Sequence, residues 1–150
     1  MAFAITQLAN EVCTELIGIP VASLAATGGP ADATASEADI TVGAATTTNS
    51  TVKNVGVACR WAKAIVYLKT LAGASTLEVK LQMSSSATFA ADVVTVDEKF
   101  MNAVVAGSGN VICWTLFGQV PTTTGEQYLR IQFVTGSGTS GTADVIYYAT

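Results

Sequence analysis

The feature that most constrains this fold is a two-residue alternation of apolar and polar side chains. In Thr76–Met83 the apolar members of the alternation are Leu77, Val79, Leu81 and Met83. In Tyr128–Thr135 they are Leu129, Ile131 and Phe133. Because successive side chains of a β-strand point to opposite faces, each segment is predicted to be a strand with one buried and one solvated face.

Further β-forming segments are separated by Gly, Ser, Thr and Asn: Ala38–Gly43, Trp61–Thr70, Val93–Val96, Val111–Phe117 and Val145–Ala149. The Thr- and Asn-rich run Thr46–Thr51 is predicted to be a loop. Short strands at this spacing, with little helix between them, favour an all-β fold, either an antiparallel β-sandwich or a jelly roll.

The N-terminal segment follows a different pattern. Apolar residues recur there at helical spacing: Ile5, Leu8, Val12 and Leu16. With Gln7, Glu11 and Glu15 on another face, this predicts a short amphipathic helix that ends before Gly18 and Pro20. The Ala-, Gly-, Pro- and Thr-rich stretch Ala22–Ala35 is typical of a flexible connector. We therefore predict a helix and linker arm over residues 1–34 and a β-sandwich domain over residues 35–150.

Charge and hydropathy narrow the classes of partner. Half of the 150 residues are hydrophobic and 12% are charged, yet no apolar run approaches the roughly 20 residues needed to cross a bilayer. The first residues contain no Lys or Arg and soon reach Glu11 and Glu15, so export through a signal peptide is not expected. The net charge of -4 argues against a nucleic-acid partner. Residues 1–50 contain acids but no bases, which indicates either a basic partner or a solvated flank.

Histidine is absent from the sequence, which removes Ser-His-Asp triads, Cys-His pairs and H-E-x-x-H zinc sites. Paired carboxylates can act without histidine, and the candidates are Asp92, Asp97, Glu98, Glu126 and Asp144. Each is predicted to lie beside a turn, where solvated acids are common, and the acidic neighbours of Lys99 favour its charged form. No calcium loop of the D-x-[DN]-x-[DN]-G type is present. We expect no enzyme activity, no metal and no cofactor.

Cys13, Cys59 and Cys113 are widely spaced and include no C-x-x-C pair. They are predicted to be small buried side chains in a reducing compartment.

Aromatic residues offer two interpretations. One interpretation is a sugar-stacking platform formed by Trp61, Trp114, Tyr128, Tyr147 and Tyr148. Trp61 and Trp114 lie within strand segments, however, where large rings usually fill a core or an interface. Core or interface packing is therefore favoured.

Gly136, Gly138 and Gly141 have the G-x-G-x-x-G spacing of a dinucleotide-binding fingerprint. That site needs a strand before the glycines and a helix after them, because the helix N-terminus receives the pyrophosphate. The residues that follow, TADVIYYAT, are β-branched and aromatic. We therefore predict a glycine-rich hairpin loop that joins the last two strands.

The order of these segments resembles that of the small jelly-roll cement, or decoration, proteins of tailed-phage capsids. Ala35–Gly43 is similar to the family's opening Ala-Ser and short strand that ends in Gly, and Ala74–Ser84 is similar to its small-Thr-Leu-x-Val-x-Leu-Gln-x-Ser strand, with Ala87-Thr-Phe89 just beyond. Tyr128–Thr135 and Gly141–Val145 resemble its closing Tyr-Leu-Arg hairpin. The resemblance covers residues 35–150 and carries over no catalytic residue.

The resemblance implies a protein that binds the outside of an assembled capsid and braces the major capsid protein subunits. It also implies a place on the exterior of the virion after synthesis in the host cytoplasm, and we expect the protein to form a homo-oligomer. Contacts with partners are predicted at the N-terminal apolar face and at aromatic strand positions: Ile5, Leu8, Val12, Leu16, Trp61, Trp114, Tyr147 and Tyr148. The alternatives are a carbohydrate-binding or adhesin module of a phage tail or fibre, and a tail-tube subunit.

Overall fold

The computed structural model of the chain describes residues 34–56, 61–73, 75–102, 112–120 and 127–149. The strands in these ranges are β1 (Thr34–Val42), β2 (Thr47–Asn49), β3 (Lys53–Gly56), β4 (Trp61–Ala72), β5 (Leu77–Ser84), β6 (Val94–Met101), β7 (Ile112–Gln119), β8 (Gln127–Thr135) and β9 (Ser140–Ala149). The predicted N-terminal helix, with Ile5, Leu8, Val12 and Leu16, lies outside the described residues. No helix within the described ranges is long and apolar enough to span a bilayer.

The strands form two antiparallel sheets that pack as a sandwich. The four-stranded sheet has the order β1-β9-β4-β7, and the five-stranded sheet has the order β2-β8-β5-β6, with β3 also pairing with β8. If β2 and β3 are taken as one interrupted strand, each sheet has four strands in the order of a jelly roll. The predicted all-β antiparallel fold is therefore confirmed.

The core lies between the sheets and follows the alternation of the sequence. In β8, buried and half-buried residues alternate without a break. The neighbouring strands β5 and β8 of the five-stranded sheet supply one part of this core cluster: Leu77, Val79, Leu81, Met83, Leu129, Ile131 and Phe133. The four-stranded sheet supplies its own inner residues: Ala62, Ala64, Val66, Leu68, Leu116, Ala143, Val145 and Tyr147. Each large apolar side chain buried here contributes about 1.5–3 kcal/mol.

Several strand boundaries differ from those predicted. The expected loop Thr46–Thr51 contains β2, and β6 runs from Val94 to Met101 instead of stopping at Val96. The last strand begins at Ser140, five residues before Val145. The residues added to the first and last of these strands are polar or small, and those added to β6 begin with the charged run Asp97–Lys99. Pairing with a neighbouring strand therefore makes them part of a sheet.

A buried hydrogen-bonded junction, formed by Tyr147, Ser50 and Ile131, links the two sheets across the core. The Tyr147 hydroxyl hydrogen-bonds with the Ser50 hydroxyl. The backbone N–H of Ile131 donates to both oxygens, at 3.0 Å from Tyr147 and 2.9 Å from Ser50. Ser50 N–H donates in turn to the Ile131 carbonyl at 2.9 Å. Burial raises the pKa of the Tyr147 phenol well above its usual value, so the hydroxyl stays protonated and able to donate.

We predict that Tyr147→Phe lowers the free energy of unfolding by about 1–3 kcal/mol, because Ser50 and Ile131 then lose a buried partner. Urea denaturation measures the loss. Tyr67→Phe, on the opposite face of the same sheet, is the matched control and should change stability little. Equal stability of the two variants would contradict the role of the junction.

The glycine-rich segment does not form a hairpin, and that prediction was wrong. A strand precedes it and a strand follows it, but β8 belongs to the five-stranded sheet and β9 to the four-stranded sheet. The connection 136–139 therefore crosses from one sheet to the other.

This crossing packs against two other connections at one end of the sandwich. Gly136 N–H donates to the Thr76 carbonyl at 2.9 Å, and the Gly136 carbonyl accepts from Ala45 N–H at 3.0 Å. A side chain at Gly136 would collide with the Ser75 hydroxyl, and one at Gly73 would collide with the backbone of Gly138. The glycines are thus needed for close packing of backbone, and a strand occupies the place of the helix that a dinucleotide site requires.

We predict that Gly73→Ala destabilises the fold by more than about 1 kcal/mol, because alanine disfavours a positive φ. Gly73 has φ 98°, and the added Cβ would meet backbone that cannot easily move. The control is Gly43→Ala, whose Cβ would meet only the Thr46 methyl, at 3.0 Å. Thermal unfolding of both variants checks the prediction, and an equal or larger loss for Gly43→Ala would contradict it.

Candidate interaction surface

The edge strands of the two sheets meet along one side of the sandwich. In the described residues β6 ends the five-stranded sheet and β7 ends the four-stranded sheet. The backbone N–H of Phe117 in β7 donates to Asp97 Oδ2 of β6 at 3.0 Å. One residue further, Gly118 leaves room for Val96, whose side chain and carbonyl would lie within 2.8 Å of an added Cβ. The two contacts hold the edges together.

Asp97 caps the free edge of β7. Its Oδ2 also lies 3.4 Å from Lys99 Nζ, and its Oδ1 accepts the N–H of Glu98 at 2.9 Å. A carboxylate aimed at an edge N–H occupies a donor that another strand would otherwise use. The carboxylate of Asp97 therefore discourages the addition of a further strand at the β7 edge.

Two exposed aromatic rings stack beside this edge. Trp61 of β4 and Phe117 of β7 are nearly parallel, with an angle of 5° between the ring planes and 5.2 Å between the centroids. They are 44% and 54% exposed. Strand register explains the contact, because Gln119 pairs with Trp61 and Phe117 pairs with Lys63, which places the two rings on one face of neighbouring strands.

Val93 and Val94 are also exposed. Since Val96 lies beside Gly118 and Asp97 beside Phe117, Val94 lies toward the end of the edge where β4 begins at Trp61. We call the stacked pair Trp61 and Phe117 the edge patch. Exposed aromatic rings grouped in this way are typical of a macromolecular contact surface.

The sequence interpretation identified Trp61 but missed Phe117. Phe117 ends the nearly continuous apolar run Val111–Phe117, in which the sequence does not distinguish core-facing from outward residues. In the structure successive residues of β7 point to opposite faces, with Leu116 buried and Phe117 exposed.

The other predicted aromatic contact residues are not on this surface. Tyr147 is fully buried and Tyr148 is 3% exposed, so neither ring is presented at the surface in this structure. Trp114 is partly buried and packs against the core. Tyr128 pairs with Ser84 in the five-stranded sheet. The five-ring sugar platform, the alternative to core or interface packing, is therefore not assembled in this fold.

A row of hydrogen-bonded polar side chains crosses the outer face of the five-stranded sheet. Arg130 Nε donates to Gln82 Oε1 at 2.9 Å, Gln82 Nε2 to Gln132 Oε1 at 3.3 Å, and Gln132 Nε2 to Asn49 Oδ1 at 3.1 Å. Arg130 also lies 4.1 Å from the centroid of the Phe89 ring, and partial burial lowers the pKa of its guanidinium. These polar groups satisfy one another across this face.

The candidate carboxylates have structural partners. Asp92 accepts from the Ser85 hydroxyl at 3.3 Å, and Asp144 accepts the Asp39 N–H at 2.8 Å. Asp97, Glu98 and Asp144 lie within strands, so their predicted placement beside turns was wrong. Glu126 lies outside the described residues. Across the part of the chain that is described, no group of three or more Cys, Asp or Glu side chains is positioned to hold a metal ion.

Cys113 is exposed in β7, which corrects its predicted burial. It pairs with Tyr67 on the outer face of the sheet, since the intervening Trp114 occupies the inner face. Partial desolvation raises the pKa of its thiol. Cys13 and Cys59 lie outside the described residues.

Comparisons with known proteins give distant likenesses. No protein-family model matches the chain, and no curated protein matches it. The chain is similar to a structure of PirA, at 12% identity over 81% of this chain and 99% of that chain, with a TM-score of 0.46. It is also similar to the K2 cleaved adhesin domain of Lys-gingipain, at 15% identity over 69% of this chain and 59% of that one, with a TM-score of 0.43.

A third similar structure is that of the infectious bursal disease virus Gt strain, at 11% identity over 79% of this chain, with a TM-score of 0.43. This chain spans 34% of that viral chain and 59% of the adhesin chain. At these identities and TM-scores the likenesses do not bear on function.

We predict that Asp97→Ala increases self-association, because it frees the Phe117 N–H at the β7 edge. The lost hydrogen bond should also lower the free energy of unfolding by about 1 kcal/mol. Light scattering at matched concentrations and urea denaturation measure the two effects. Glu98→Ala is the matched control, since it removes the same charge from the next residue. Indistinguishable scattering by the two variants would count against the capping role.

Proposed function

We propose that this protein is a structural component of a virion that binds the outer surface of a tailed-phage capsid. Its role there is to stabilise contacts between subunits of the major capsid protein. The observation that carries the proposal is the edge patch, in which the stacked rings of Trp61 and Phe117 stand exposed on a rigid sheet.

The chemistry of the edge patch suits a protein partner. Large aromatic side chains dominate the binding energy of protein interfaces, where they are typically surrounded by polar residues that exclude water. Trp61 and Phe117 are flanked on β7 by the half-buried Thr115 and the exposed Gln119. The rings are already stacked before binding, so little side-chain entropy remains to be lost when a partner covers them.

The jelly-roll fold agrees with the sequence resemblance to the capsid cement proteins, and this agreement supports the choice of partner. The motifs that resemble the capsid cement proteins fall in β1, in β5 and in β8 with β9. These strands belong to both sheets of a jelly roll, the fold that the resemblance implied. The major capsid protein is therefore the partner we propose, with the capsid exterior as the location.

A non-enzymatic role is part of the proposal. Asp92, Asp97 and Asp144 each accept structural hydrogen bonds. Their engagement in the fold supports a role in positioning backbone. We further propose that the protein acts as a homo-oligomer on the capsid, because neighbouring subunits repeat the same joint around each symmetry axis.

We predict that Trp61→Ala and Phe117→Ala each weaken binding to assembled capsids by at least about tenfold, the loss that corresponds to 1.4 kcal/mol at an aromatic hot spot. Co-sedimentation with capsids that lack the protein measures binding. Phe100→Ala is the control, because Phe100 is 58% exposed but lies on β6 opposite Glu78, in the other sheet.

Full binding by both edge-patch variants, with Phe100→Ala also unchanged, would overturn the proposed contact. Absence of the wild-type protein from capsids, with density along the tail in electron micrographs of intact particles, would overturn the proposed function.

A carbohydrate-binding role on a tail or fibre is the second candidate, since the rings of Trp61 and Phe117 are 44% and 54% exposed. The two functions differ in their target. A glycan array measures sugar binding directly. Reproducible binding by the wild-type protein that is lost in Trp61→Ala would favour the sugar-binding role over the capsid role, provided that the variant keeps its fold with Tyr147 buried.

A further inference from the structure

The row of polar side chains on the outer face of the five-stranded sheet has a fixed direction. We call its members, Arg130, Gln82, Gln132 and Asn49, the polar row. A guanidinium has N–H donors and no acceptor, so the amide oxygen of Gln82 must face Arg130. The amide nitrogen of Gln82 then faces the oxygen of Gln132, and the nitrogen of Gln132 faces the oxygen of Asn49. Each amide oxygen in the polar row therefore already accepts a hydrogen bond.

The groups that the polar row leaves for another molecule are donors. At one end, Arg130 Nε donates to Gln82 at 2.9 Å, and the two terminal amino groups of the guanidinium have no acceptor among the described residues. At the other end, the exposed Asn49 terminates the row with its amide nitrogen. A surface that offers N–H groups and a positive charge is complementary to an anion that only accepts hydrogen bonds, such as a carboxylate.

The charge of Arg130 is not balanced by a carboxylate at salt-bridge distance in the part of the chain that is described. On the same sheet, Glu78 lies 2.9 Å from Lys80, and Glu98 pairs with Lys80 in the register of β5 and β6. Asp92, in the connection between these strands, accepts from a serine hydroxyl. The nearby acids are thus placed beside other groups, and the guanidinium keeps its charge for a partner.

The fold holds this guanidinium in one orientation. Its central carbon lies 4.1 Å from the centroid of the Phe89 ring, and Gln82, which is 7% exposed, holds Nε. Phe89 has φ 53°, a left-handed conformation that bulky residues rarely adopt. The Ser84 hydroxyl anchors the same connection by donating to the Ala91 carbonyl at 2.7 Å. Backbone strain of this kind is typical of sites that hold a ligand, and a side chain fixed before binding loses little entropy on contact.

We propose that Arg130 recognises a carboxylate of an acidic protein segment that lies along β8. With Nε held by Gln82, the terminal amino groups remain for two parallel hydrogen bonds to one carboxylate, which is the geometry in which arginine differs most from lysine. The inference stands apart from the capsid proposal, because the edge patch lies on the other sheet.

The spacing of the donors selects an extended peptide as the ligand. Arg130 and Gln132 are two residues apart on β8, and Asn49 pairs with Gln132. The two ends of the polar row are therefore about 7 Å apart along the strand, the repeat of side chains on one side of an extended chain. The segment that fits has a carboxylate opposite Arg130 and a second accepting side chain, two residues away, opposite Asn49. Nucleic acid is a poor fit, because the protein has a net charge of -4.

Titration of the isotopically labelled full chain with short peptides, followed by NMR, tests the proposal. The probes are acetyl-Thr-Glu-Thr-Glu-Thr-amide, the Glu peptide, and the same peptide with Gln in place of both Glu. The Glu peptide should shift the Nε–H signal of Arg130 and the side-chain amide signals of Asn49 until they saturate. The Gln peptide should bind at least about tenfold more weakly, because it lacks the charged acceptor.

Two substitutions separate recognition by Arg130 from general attraction between charges. Arg130→Lys keeps the net charge but loses the planar pair of donors, and should weaken binding of the Glu peptide by at least about tenfold. The matched control Lys80→Gln removes a whole charge from the same sheet, where Glu78 already pairs with Lys80, and should weaken binding less. A larger loss for Lys80→Gln than for Arg130→Lys would overturn the assignment to Arg130.

Gln82→Glu decides the matter if circular dichroism shows that Arg130→Lys is unfolded. It leaves Arg130 in place but gives the guanidinium a carboxylate from within the fold, so binding of the Glu peptide should fall by at least about tenfold. Unchanged binding would overturn the proposal. An oligogalacturonate is titrated in parallel with the wild-type protein. If the Arg130 and Asn49 signals respond to neither probe, or to the oligogalacturonate but not to the Glu peptide, a protein segment is not the ligand.

Discussion

The sandwich depends on the junction at which Tyr147 spans the core. A phenol removed from water loses its hydration, and burial is also what raises its pKa. The structure compensates by interrupting a strand: between β2 and β3, Ser50 turns its hydroxyl inward to meet Tyr147 and the Ile131 N–H. The Tyr147 hydroxyl of one sheet thereby bonds both to β8 of the other sheet and to the break between β2 and β3.

The jelly-roll order has consequences for the surface. It places β6 and β7, from different sheets, side by side at one edge of the sandwich. The edge is closed by Asp97 and by the close approach of Val96 to Gly118. The same arrangement leaves Trp61 and Phe117 at its border, where a partner can reach them. A capped edge and an exposed pair of rings together favour side-chain contacts over the addition of a strand.

The two outer faces of the sandwich differ in their chemistry. On the five-stranded sheet, the polar row from Arg130 to Asn49 is hydrogen-bonded. On the four-stranded sheet, the edge patch presents two exposed aromatic rings. In the functional proposal, the edge patch is the surface that meets the capsid.

The sequence by itself determined the class of fold and the inner residues of β5 and β8, because a strict two-residue alternation specifies both a strand and its buried face. It also determined that a helix-dependent cofactor site was implausible at Gly136, since β-forming residues follow. Only the tertiary structure decided that β8 and β9 lie in different sheets, because the same glycines permit a hairpin or a crossing. Likewise, Phe117 and Tyr147 are both aromatic residues in apolar strands, and their exposure depends on which face of the sheet each side chain points to. The partner of Asp97 is 20 residues away in sequence, a separation that local pattern cannot bridge, since the contact exists only once two sheets have closed around one core.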